Sequence, residues 1–87
     1  MRVQRAIITA QGITFMVVAV PKQIIDDRAK AEQTVKFLQS RWVGMPIALV
    51  TRDDRGAPTA YYGRGDLAMR LIRIPPTAVP WGDLSIP

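Results

Sequence analysis

The chain is organised around one apolar stretch. Residues 13–20 read Ile-Thr-Phe-Met-Val-Val-Ala-Val, and Phe15 to Val20 is the longest uninterrupted apolar run in the sequence. β-branched and aromatic residues dominate it, so it predicts a strand covered on both faces and central in its sheet. Pro21 cannot donate to a ladder and marks its end. Upstream, residues 2–9 alternate weakly and predict a short edge strand, followed by a turn at Gln11-Gly12. Downstream, Ala31, Val35, Leu38 and Trp42 recur at i, i+4, i+7 and i+11, the stripe of an amphipathic helix over 27–42. Asp26 or Asp27 is its N-cap candidate, and Gly44 with Pro46 stops it.

The second half repeats the strand pattern on a smaller scale. Residues 47–51 are apolar, Asp53-Asp54-Arg55-Gly56 is a turn with glycine where a positive φ is wanted, and Pro58–Tyr62 is the return strand of a hairpin. A proline opening that strand places it at an edge or a bulge. Asp66 is the cap candidate for a short helix over 67–73, which Pro75-Pro76 ends. Val79–Trp81 is a candidate final strand, and 75–87 otherwise reads as a proline-rich C-terminal tail. The expected core is Val17, Val18, Val35, Leu38, Ile47 and Leu49.

The fold expected is a single α+β domain spanning 1–87. It is a small two-layer sandwich of order β-β-α-β-β-α(-β), with a mixed sheet and the helices on one face. From residue 13 onward the β-α-β-β-α-β order is that of a ferredoxin-like sandwich. From Met45-Pro46 onward, a proline opening a strand, a hairpin, a glycine and a short helix resemble the C-terminal half of thioredoxin-like domains. The redox cysteine motif is missing, so that resemblance implies the fold without the redox chemistry.

Composition narrows the chemistry. The 87 residues include neither cysteine nor histidine. Thiolate metal sites, disulfides, Cys-His pairs and Ser-His-Asp triads are thereby excluded, and no cofactor, metal or catalytic residue is expected. Lack of cysteine fits a cytoplasmic protein. No apolar run approaches the roughly 20 residues that a bilayer needs, so no membrane association is expected. Arg2 and Arg5 before an apolar stretch resemble a signal peptide, but polar residues interrupt the stretch and Pro21 stands just past any cleavage point.

The net charge is +5, from twelve basic and seven acidic residues, and a basic balance favours acidic partners such as nucleic acid. Arg52, Arg55, Arg64, Arg70 and Arg73 are the candidate nucleic-acid or anion contacts, with Tyr62 as a candidate base-stacking group. The segment Arg55–Tyr62 resembles the basic start of an RNA-recognition-motif strand, with Ala57 and Thr59 where the stacking aromatics would stand. Gly63-Arg64-Gly65 before a helix could form an anion nest, although Asp66 there opposes an anion. Arg64-Gly65-Asp66 also spells an adhesion tripeptide, for which capping by Asp66 is a sufficient alternative. Asp53-Asp54 and Asp26-Asp27 read as a turn and a helix start. Ile7, Phe37 and Trp81 are apolar groups that so short a chain has little means of covering. They point to a homodimer and to a non-enzymatic, self-associating interaction module that binds an unidentified protein partner. The alternative is a nucleic-acid-binding domain built on the arginines.

Overall fold

The computed structural model describes residues 1–86. The elements run β1 (Arg2–Ala10), β2 (Ile13–Ala19), α1 (Lys22–Asp26), α2 (Arg28–Arg41), β3 (Ile47–Arg52), β4 (Pro58–Tyr62), α3 (Gly65–Ile72), a 3-10 turn (Pro76–Ala78) and β5 (Gly82–Ser85). The α+β class and the mixed sheet are those expected from the sequence, and the element order follows the expected one with an added helix, α1. The strands form one five-stranded sheet in the order β4-β3-β2-β1-β5. β2 and β3 are parallel and joined through the helices, and all other pairs are antiparallel.

The apolar run 15–20 is the middle of this sheet, as its composition requires. Successive side chains on a strand point to opposite faces, and β2 uses both. Met16, Val18 and Val20 join Ala31 and Leu38 of α2, with Ile47 and Leu49, in a core on one face, the first. Phe15, Val17 and Ala19 join Leu67 and Leu71 of α3, with Ala48 and Val50, in a core on the other, the second. Helices therefore cover both faces, and the expected two-layer arrangement with helices on one face is corrected to three layers. The reason lies in β2 and β3. Strands with unbroken apolar runs, Phe15–Ala19 in β2 and Ile47–Val50 in β3, cannot leave one face to water.

The ferredoxin-like order is corrected for a related reason. That fold splits its β-α-β unit with an intervening strand, whereas here β2 and β3 are direct neighbours, Met16 opposite Ile47 and Val18 opposite Leu49. The hairpin β3–β4 followed by α3 is the succession of elements on which the thioredoxin-like resemblance rests. Pro58 opens an edge strand, and the ladder slips between Thr51 and Arg52, the bulge its presence suggested.

α2 is capped as its sequence dictates. Asp27 Oδ1 accepts from the backbone N–H groups of Ala29 and Lys30 at 3.0 and 3.3 Å. Ala31 and Leu38 are buried, and Val35, expected in the core, is half-buried. The short α1 was not anticipated. It packs Ile24 and Ile25 against the first-face core. In α3 the capping position is Arg64 rather than Asp66. Asp66 sits in the first turn and pairs with Arg64.

Two expectations about the chain ends also change. Strand 2–9 is an edge over only part of its length, because β5 pairs with Arg2–Arg5 on its outer side. The final strand is Gly82–Ser85 rather than Val79–Trp81. Residues 73–81 cross the second face, where Ile74, Val79 and Trp81 pack on the core. The tail is thus a structural cover. Among the described residues no helix is long and apolar enough to cross a membrane.

Candidate functional site

The five candidate arginines do not form one surface. Arg64 precedes α3 beside the start of β3, where Gly63 adopts φ +125° and a Cβ would stand 3.1 Å from the Ile47 carbonyl oxygen. Arg70 donates from Nη1 to Gln11 Oε1 in the β1–β2 turn at 3.1 Å, and its Nε is buried without a partner among the described residues. Both residues belong to the end of the sheet where β2 and β3 begin. Arg52 and Arg55 belong to the other end, at the close of β3 and in the hairpin turn. Arg73 is exposed at the C-terminus of α3.

The aromatic candidates are largely used within the chain. Tyr62 packs against the first-face core and Tyr61 against the second. Burial raises the Tyr61 phenol above its ordinary value, because the phenolate loses hydration there. A raised folded-state value contributes stability that is present below pH about 10 and lost as pH rises through the higher folded value. Tyr61→Phe is expected to flatten that alkaline decline, as read by chemical denaturation from pH 8 upward.

Phe37 is half-buried on α2, with the Arg41 guanidinium 5.5 Å from its ring centroid. It borders a hollow that Met1, Ile24 and Ile86 line together with Lys30, Gln33 and Thr34. Trp81 packs on the second-face core and carries the Arg52 guanidinium 4.4 Å above its ring. Ile7 remains 38% exposed on the first face.

The anion-nest reading of Gly63-Arg64-Gly65 changes for an electrostatic reason. Arg64 Nε and Nη2 donate to Asp66 Oδ1 and Oδ2 at 3.0 and 2.6 Å. The hydrogen bonds from Arg64 hold the Asp66 carboxyl below its usual range. The arginine that would grip an anion already grips a carboxylate.

Two arrangements remain with unused recognition groups. The first is the outer edge of β1. β5 ends its pairing at Arg5 opposite Gly82, which leaves Ala6–Ala10 without a neighbour on that side among the described residues. The N–H of Ile86 donates to the carbonyl of Met1 at 2.8 Å, so odd-numbered residues of β1 face β5. The N–H groups of Met16 and Val20 reach toward β3, at Pro46 and Val50, so even-numbered residues of β2 face away from β1. The ladder therefore directs the N–H and C=O groups of Ile7 and Thr9 out of the open edge.

The second is a groove of about 440 Å³ on the second face, at the carboxyl ends of β2 and β3. Arg2, Gln4, Ala19, Arg52 and Asp83 border it. Arg2 and Gln4 share a face because their positions differ by two, and Asp83 is placed opposite Gln4 by the β1–β5 register. Sequence reading singled out Arg52 alone. The alternation in β1 would have paired Arg2 with Gln4, but nothing local brings Asp83 to them across almost the whole chain.

No family model matches this chain, and neither a curated protein nor a solved structure is similar enough to suggest a relative, so its function is read from these two arrangements.

Proposed function

We propose that the chain is a non-enzymatic interaction module that self-associates through the open edge of β1. The observation behind this reading is the outward-directed backbone of Ile7 and Thr9, beside the exposed Ile7 side chain. Unpaired strand edges template pairing with another chain unless charge, proline or a cover blocks them. Residues 6–10, Ala-Ile-Ile-Thr-Ala, carry neither charge nor proline.

A two-fold axis at Ile8 sets Ile7 of one copy opposite Thr9 of the other. Both residues then exchange N–H···O=C bonds, four in all, in an isologous contact. The two Ile7 side chains lie diagonally across the first face of the joined sheets, within reach of each other. The absence of histidine and cysteine, and the placement of most acidic residues in turns and helix starts, favour binding over catalysis.

The sedimentation mass at tens of micromolar tests this. The wild type is expected at about twice the monomer mass. Ile7→Lys, which places charge on the edge, is expected to sediment as a monomer with an unchanged far-ultraviolet spectrum. Thr9→Pro removes an outward N–H without touching the β1–β2 ladder and is expected to do the same. A wild-type monomer at that concentration, or a dimer unaffected by both substitutions, overturns the reading.

A further inference from the structure

We propose that the groove at the carboxyl ends of β2 and β3 is a binding site for a small oxyanion, a phosphate or carboxylate group, held between Arg52 and Arg2. Its position is the first reason. Where parallel strands end, backbone and side chains diverge and leave a crevice, and ligands of α/β sheets settle there. β2 and β3 are the parallel pair in this sheet, and Ala19 to Pro21 and Arg52 border the groove from their ends.

The state of the polar groups is the second reason. Arg2, Gln4, Arg52 and Asp83 all face this one groove, yet none is used on another. Among the described residues the ion pairs are Lys22–Asp26, Arg28–Glu32 and Arg64–Asp66. Arg52 therefore has no carboxylate partner among the described residues. Its guanidinium carbon lies over the Trp81 ring, 4.4 Å from the centroid, a contact that restrains the group without using its N–H donors. A guanidinium restrained by an aromatic ring loses less freedom on forming the two parallel hydrogen bonds that an oxyanion accepts. Arg2 supplies the second positive charge and Gln4 a neutral donor.

Asp83 opposes this, and it sets the sign of a test. Its carboxylate repels an anion in the groove and limits affinity. Removing that charge is expected to strengthen binding, whereas a merely structural role for Asp83 predicts no gain. The site is at the opposite end of the sheet from the open edge of β1, so it stands or falls independently of self-association.

The probes are inorganic phosphate and succinate, titrated at low ionic strength into the full chain and followed by amide and arginine Nε–H resonances. A saturable shift at Arg52, Trp81 and Asp83 is expected with at least one of them, and the stronger of the two identifies the source class. Arg52→Gln is expected to weaken binding by about 10-fold or more, the worth of a charge-assisted bidentate contact. Arg52→Lys is expected to retain only part of the affinity, since the charge survives without the fork. Asp83→Asn is expected to tighten binding several-fold. Arg55→Gln, in the hairpin turn, serves as the charge control and is expected to leave binding unchanged. A thermal melt of each variant separates lost binding from lost fold. Shifts that fail to saturate, that survive Arg52→Gln, or that fall equally in Arg55→Gln overturn the proposal.

Discussion

Phe15→Ala is expected to lower the unfolding free energy by about 3–5 kcal/mol, the range for truncating a fully buried aromatic side chain. Phe15 is 0% exposed. It stands on β2 opposite Ile8 and belongs to the cluster of Ala6, Val17, Leu67 and Leu71 on the second face. Its surroundings have little means of collapsing into the space. The sheet below is pinned by ladders on both sides of β2, and the cover above is a helix and a tail bearing Pro75, Pro76 and Pro80. A rigid wall leaves a larger residual cavity, which places the cost toward the upper part of the range. Small domains hold about 5–15 kcal/mol in all, so the variant loses a large part of its reserve. A domain of this length shifts its thermal midpoint by about 4–8 °C for each kcal/mol. A midpoint within 3 °C of wild type would mean that α3 and the tail do not seal the second face.

Leu38→Ala is expected to cost about 2–5 kcal/mol. Leu38 is the centre of the α2 stripe, also 0% exposed, and meets Met16, Val18 and Leu49 on the first face. A loss under about 0.5 kcal/mol, far below the range for buried leucine, would mean that α2 presents a different face. The two substitutions lie in separate clusters on opposite sides of one sheet. Their costs are expected to add to within about 0.5 kcal/mol, as for sites with no shared partners. A marked departure from additivity in the double variant would show that strain passes through β2, whose Phe15 and Met16 are adjacent in the backbone. Urea denaturation of the two single variants and the double variant measures all three quantities.

The local signals in the sequence were sufficient for the elements. The unbroken apolar run made β2 central, the spacing of Ala31, Leu38 and Trp42 placed α2, and Asp27 capped it where its carboxylate could reach the first free N–H groups. Gly56 took its positive φ of 82° in the hairpin turn, and Pro58 marked the edge strand and its bulge. Each depends on residues within about one turn or one hairpin of each other, so each is written in consecutive residues.

Only tertiary structure decided what those elements face. Strand periodicity cannot say which neighbour a strand takes, and β1 gained β5 on its outer side because the tail crosses the second face and returns. That crossing also took up Trp81, an apparent surface anchor, as a cover for the core and a platform for Arg52. The arginines at 52, 64 and 70 lie close in sequence, yet the antiparallel turn at Asp53–Gly56 and the placement of α3 send them to opposite ends of the sheet. Arg2 and Asp83, almost a full chain length apart, meet at one groove through the β1–β5 register. Charge and hydrophobicity are properties of residues and were legible in the sequence. Adjacency across a sheet is a property of the pairing, which hydrogen bonds distant in sequence determine.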